Sequence, residues 1–199
     1  MDDDNVLNTL IEFHKNNQWK NILNYKKNCP VINFDWAKLL WAWPDETSLY
    51  FIKRNCRKFK LKCVTSIGCG SGLFEYLLQQ CTGLTVKGIE IDQKWWESLY
   101  SPYQFLNLSF TDIDVIPKIS HETALMFCYF NDKSSFQEYV KNYSGNLVII
   151  IGPGKDGDTV TNPTPFSPDF GETNTSWTLI DSQQISESKD FIAIYNRNS

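Results

Sequence analysis

Three glycines at alternate positions, Gly68, Gly70 and Gly72, and a carboxylate at Glu90 have the plainest chemical use in this chain. Glycine has no Cβ, so a turn built on it bends sharply and lays bare backbone against a ligand. The amide donors of such a turn face anionic or acceptor groups, most strongly where a helix begins. A carboxylate at a neighbouring strand end accepts hydrogen bonds from both hydroxyls of a ribose. Together these groups suit a ligand that carries an adenosine. A second set, Tyr129, Asn131 and Asp132, stands at the end of the apolar run Thr123–Phe130. A phenol, an amide and a carboxylate grouped there can receive and orient a second reactant.

The surrounding pattern supplies the elements that must position them. Cys63-Val64-Thr65-Ser66-Ile67 is a short apolar, β-branched run, which predicts a strand ending at the glycines. Phe74, Leu77, Leu78 and Cys81 recur at helical spacing, and Gly83 is placed as a C′ glycine. A second strand over Leu84–Ile89 delivers Glu90. The unit is strand, glycine turn, helix, strand and acid.

Two ligand classes use this layout, nicotinamide or flavin dinucleotides and S-adenosylmethionine. The dinucleotide fingerprint G-x-G-x-x-G/A needs a small residue where this chain has Leu73. What stands instead, Gly68-Cys69-Gly70-Ser71-Gly72, resembles motif I of the class I S-adenosylmethionine-dependent methyltransferases. Lys87-Gly88-Ile89-Glu90-Ile91-Asp92 is similar to that family's second-strand end. The resemblance implies an α/β, Rossmann-like methyltransferase fold, a seven-stranded mostly parallel sheet with an antiparallel last strand. It implies S-adenosyl-L-methionine as cofactor, held by Ser66, Gly68, Cys69, Gly70 and Gly72, by Glu90 and Ile91 at the ribose, and by Asp112 and Ile113 at the adenine. Tyr129, Asn131 and Asp132 would then line the acceptor side, and no metal is implied. One position departs from the pattern: Ser66 stands where the family usually has an acid for the amino end of the methionine moiety. The chain also lacks the Asn/Asp-Pro-Pro-aromatic signature of the base-amino methyltransferases. A member that has lost catalysis and serves as a binding or scaffold module is the alternative reading.

At 199 residues with 42% apolar and 21% charged content, the chain suits one domain with one sizeable core. Its net charge of −4 argues against a protein that tracks nucleic-acid phosphates. No apolar run reaches the ~18 residues that cross a bilayer, so no membrane partner is expected. The six cysteines form no C-x-x-C or zinc spacing, and the acidic start Met1-Asp2-Asp3-Asp4-Asn5 resembles neither a signal peptide nor a mitochondrial presequence. A reduced, cytoplasmic setting is the expectation. A small-molecule acceptor is preferred over a protein side chain or RNA, with the oligomeric state open.

In chain order, residues 1–60 read as a helical cap and 61–199 as the αβ core. The cap should hold helices over Val6–His14, Gln18–Lys27, Trp36–Trp43 and Ser48–Lys58, with Asp4 or Asn5 capping the first and Asp35 the third. The basic run Lys53, Arg54, Arg57, Lys58, Lys60 and Lys62 reads as a solvated face, with contact to an anionic acceptor or RNA as the sharper alternative. Further on, the pattern predicts a helix over Gln93–Tyr100, strands over Tyr103–Phe110 and Thr123–Phe130, and a helix over Ser134–Tyr143. A strand over Asn146–Ile151 leads into a loop with prolines at 153, 163, 165 and 168, where the resembled family usually has a helix. The hairpin Trp177–Ile185 and Asp190–Arg197 closes the sheet.

Overall fold

The computed structural model describes residues 3–29, 35–112, 115–157 and 159–197. Seven strands form one sheet: β1 (Cys63–Ile67), β2 (Thr85–Glu90), β3 (Leu108–Phe110), β4 (Thr123–Cys128), β5 (Leu147–Pro153), β6 (Trp177–Gln184) and β7 (Asp190–Arg197). Their spatial order is β3-β2-β1-β4-β5-β7-β6, and β7 runs antiparallel to both of its neighbours. The expected mostly parallel sheet with a reversed last strand is therefore present. The strand order turns back at β1 and β4, and ligands in open α/β sheets bind at the carboxyl edge of such a switch point.

Both faces are covered, as a parallel sheet requires. On one face Val64, Val86, Ala124, Met126 and Ile149 pack with α1 (Asp3–Lys15), α2 (Trp19–Asn28), α3 (Glu46–Lys58) and α4 (Leu73–Thr82). On the other, Ile67, Leu125, Phe127, Val148 and Ile150 pack with Phe136, Tyr139 and Val140 of α6 (Lys133–Asn142) and with Phe170 and Trp177. The N-terminal helices thus form a layer beside α4. His14 ties α1 to the segment before β3, its ring nitrogens lying 2.8 Å from the Tyr103 hydroxyl and 3.0 Å from the Phe105 carbonyl.

Helix α3 begins at a reciprocal cap. The Asp45 carboxylate accepts from Ser48 N at 2.7 Å, and Asp45 N donates to Ser48 Oγ at 3.0 Å. Asp45→Ala is expected to lower stability by about 1 kcal/mol, read as a shift in the denaturant midpoint with an unchanged slope. The basic run is divided on this helix, because Arg54 and Lys58 both reach Asp181 of β6 at 3.3 Å.

Several boundaries differ from the sequence expectation. Asp4 and Asn5 lie inside α1, which begins at Asp3, so neither caps it. The helix expected over Trp36–Trp43 is a single 3-10 turn, Trp36–Lys38, although Asp35 does accept from Ala37 N. Pro44 disfavours helical backbone at Trp43, and Trp41 parts from Trp36 and Trp43, which pack edge to face. Trp43 Nε1 donates to the Leu23 carbonyl, whereas Trp41 stacks on Tyr129. The helix expected to Tyr100 stops as α5 (Gln93–Trp96), and Leu99 and Tyr100 are exposed rather than packed. The Trp96 carbonyl that would bond Tyr100 N is taken by Ser101 Oγ and Gln104 Nε2, at 2.8 and 2.7 Å. Strand β3 is shorter than expected because Tyr103 and Phe105 turn instead onto His14.

No helix follows β5 before the 3-10 segment Gly171–Ser176 among the described residues. The proline-rich loop crosses the carboxyl edge, where Asn162 N donates to the Phe130 carbonyl, and then returns along the α6 face. There Phe170 packs on Phe136, Trp177 and Tyr195, filling the space with side chains rather than a helix.

Candidate functional site

The glycine turn joins β1 to α4 at the carboxyl edge of the sheet. Gly68, Gly70 and Gly72 all have positive φ, at 64°, 59° and 73°. This run of left-handed residues is what glycine tolerates and other residues resist. The three differ in their surroundings. A Cβ on Gly68 would lie 2.8 Å from the Phe130 ring, and one on Gly72 would lie 2.6 Å from Leu106 Cβ. A Cβ on Gly70 would meet nothing within 4 Å. The turn is therefore packed at both ends and open at its centre.

Glu90, the last residue of β2, reaches that centre. One carboxylate oxygen accepts from Gly70 N at 2.6 Å and the other from Ile91 N at 3.3 Å. Burial raises the Glu90 carboxyl above its ordinary range, and the bonds from Gly70 and Ile91 pull it back. Gly88, two residues earlier, makes room for the turn, since a Cβ there would lie 2.5 Å from Cys69 Sγ. Burial pushes the Cys69 thiol far above its usual range, so it acts as an apolar packing group and not as a nucleophile.

Beyond β2 and β3, a hollow of about 850 Å³ is lined by Ile91, Asp92, Phe110, Asp112 and Val115. Ile91 and Asp112 thus share one concavity beside Glu90, and the Asp112 side chain is exposed. Ile113 lies outside the described residues.

On the β4 side, Tyr129 has a positive φ of 51°, uncommon for an aromatic residue. Its hydroxyl donates to Asp190 Oδ1 at 2.5 Å, and its ring stacks on Trp41 at 5.5 Å. Burial first, and the bond to Asp190 second, hold the phenol well above its ordinary range, so it remains an O–H donor at neutral pH. Lys26, Trp41, Trp43 and Asp190 line an adjoining hollow of about 490 Å³. Burial lowers the Lys26 ammonium from its usual value, against the pull of Asp190. Asn131 is bridged to Asn162 of the proline-rich loop. Asp132 caps α6, accepting from Ser135 N at 3.0 Å and from Ser135 Oγ at 2.7 Å, and its side chain faces solvent.

The structure thus brings Ser66, the glycine turn and Glu90 into one group, and Tyr129, Asn131 and Asp132 to the neighbouring strand end. The sequence offered Trp41 as one wall of an aromatic acceptor pocket, but not its pairing with Tyr129, nor the parts played by Asp190 and Glu75. Trp41 and Asp190 are remote from Tyr129 in the chain, and no local pattern pairs them. Glu75 did carry a signal, a carboxylate inside the apolar stretch Leu73-Phe74-Glu75-Tyr76-Leu77-Leu78. Ser66 Oγ donates to Glu75 Oε1 at 2.7 Å, and Glu75 Oε2 is buried without a partner.

No family model and no curated protein matches the chain. Solved structures align with part of it. Magnesium protoporphyrin IX methyltransferase from Synechocystis PCC 6803 with bound SAM aligns over 77% of this chain and 79% of its own, at 11% identity and a TM-score of 0.46. The methyltransferase domain of bacterial CtHen1-C aligns over 77% and 98%, at 13% identity and a TM-score of 0.47. A SAM dependent methyltransferase from Aquifex aeolicus aligns over 76% and 97%, at 14% identity and a TM-score of 0.41. These are partial likenesses at low identity, and what these proteins bind or act on is not transferred to this chain.

Proposed function

We propose that this protein is an S-adenosylmethionine-dependent methyltransferase. The observation that carries the reading is the glycine turn at the sheet's switch point, open above Gly70, with the Glu90 carboxylate brought to Gly70 N at 2.6 Å. S-adenosylmethionine supplies a methyl on a sulfonium, whose departure needs no acid. The residues here suit that cofactor. The open centre of the turn admits a ligand against bare backbone, and the remaining lone pairs of Glu90 accept from ribose hydroxyls. Ile91 and Asp112 bound the hollow on the adenine side.

The acceptor side is built for holding rather than for acid–base chemistry. Tyr129, fixed by Asp190 and Trp41, offers an aromatic wall beside the Lys26 hollow. Asn131 stands at the same edge, and Asp132 sets the start of α6. Alignment and exclusion of water supply the rate in such a site. A small molecule with an aromatic ring fits these walls better than a nucleic acid does, given the net charge of −4. No described helix is long and apolar enough to cross a membrane.

Calorimetric titration with S-adenosylmethionine, S-adenosylhomocysteine and NADH tests the reading. The adenosyl ligands are expected to bind and NADH not to, with Glu90→Ala weakening both by about ten- to a hundredfold. A folded wild type that binds neither adenosyl ligand overturns the enzyme reading, leaving a binding module on the same fold.

A further inference from the structure

Glu75 presents an unusual problem for a protein interior. It stands on α4 beneath the glycine turn, and 1% of its surface is exposed. Oε1 accepts from Ser66 Oγ at 2.7 Å, and Oε2 has no hydrogen-bond partner. The titratable groups that face it are Glu90 from β2, Cys69 from the turn and Cys128 from β4. None of them is a cation. A buried carboxylate is costly, and the Ser66 hydroxyl and the backbone at Glu75 offset only part of that cost, with no cation facing it among the described residues.

Its placement gives the cost a use. Ser66 lies two residues before Gly68 on β1, the position at which the resembled family carries its acid. Serine offers a hydrogen bond there but no charge. The Ser66 hydroxyl points at a carboxyl that arrives from the next helix instead, and the two form one unit below the turn. We propose that Glu75 supplies from α4 the negative charge that Ser66 lacks on β1, and receives the α-ammonium group of an adenosyl amino-acid ligand. Ser66 is then a positioning residue, holding Oε1, and Oε2, buried and unpartnered in the free protein, is the atom left for the ligand. The assignment rests on the methyltransferase reading above.

Two ligands that differ at the relevant end provide the test. S-adenosylhomocysteine carries the α-ammonium group, and 5′-methylthioadenosine lacks the amino-acid end. Both are titrated calorimetrically into the wild type and Glu75→Gln, a near-isosteric change that removes the charge. The expected result is S-adenosylhomocysteine binding weakened by about ten- to a hundredfold, with 5′-methylthioadenosine binding unchanged. Burial raises the Glu75 carboxyl to about 7. Wild-type affinity for S-adenosylhomocysteine should therefore rise with pH up to about 7 and then level off, while 5′-methylthioadenosine shows no such rise. Equal weakening of both ligands in the variant assigns Glu75 a purely structural role and overturns the proposal, as does no change in either. A wild type that binds neither ligand overturns the methyltransferase reading together with this assignment.

Discussion

Alanine at Gly72 is expected to destabilise the protein by about 2–5 kcal/mol, far more than alanine at Gly70. Both residues have positive φ, at 73° and 59°, so each variant meets the conformational cost of about 1–2 kcal/mol. At Gly72 a second cost adds to it. The new Cβ would lie 2.6 Å from Leu106 Cβ and 3.3 Å from Leu106 N, atoms that no rotamer change can move away. Leu106 is itself held in place, because its neighbour Phe105 donates its N–H to the Ser71 carbonyl. Overpacking of this kind costs about 1–3 kcal/mol more. At Gly70 the Cβ enters empty space, so the fold should tolerate it. That space is where an adenosyl ligand would lie, so Gly70→Ala should retain most of its stability and lose binding. Denaturant unfolding and calorimetric titration of the two variants separate these effects. Equal stability losses at the two positions would show that the Leu106 contact does not govern the turn.

The second large effect is a pH-dependent one at Glu75. Burial raises its carboxyl from an ordinary value of 4.5 to about 7. Between those values the folded protein keeps a proton that the unfolded chain has released. Stability from this group is therefore intact below about pH 4.5, falls as pH rises, and is lowest above about pH 7. The full difference is about 3 kcal/mol. Glu75→Gln does not titrate, so its stability relative to the wild type should improve by about that amount between pH 4 and pH 8. For a chain of this size the gain corresponds to about 6–12 °C in Tm. Groups away from Glu75 titrate alike in the two proteins and cancel in the comparison, which leaves Glu75 and its weaker coupling to Glu90. Thermal unfolding across that pH range is the measurement, and parallel Tm curves would refute the prediction. A variant that is more stable at pH 8 yet binds S-adenosylhomocysteine less well would mark Glu75 as a residue kept at a cost to the fold.

How much was legible beforehand differs from element to element. The unit from β1 to β2 could be read closely because its signals are local. A β-branched run, left-handed glycines and a helix-ending Gly83 each act through φ and ψ of a few neighbouring residues. The terminal hairpin and the apolar β4 and β5 were legible for the same reason, one period sustained over a whole element. The failures lie where side chains choose distant partners. Residues 36–43 and 93–100 have helical apolar spacing, yet Trp41 is drawn to Tyr129, and the Trp96 carbonyl is capped by Ser101 and Gln104. Short helices gain little from their own backbone bonds, so one such competitor is enough to end them.

By itself, then, the sequence determined the sheet's elements, the glycine turn and the acid at the end of β2, because backbone geometry and hydrophobic period are written in adjacent residues. Only the tertiary structure decided which carboxylate lies beneath the turn, which aspartate holds Tyr129 and which tryptophan stacks on it. Glu75 faces Ser66, and Asp190 faces Tyr129, across elements that are adjacent only after the sheet has formed. Contacts of that kind depend on strand order and helix packing, which no local pattern encodes.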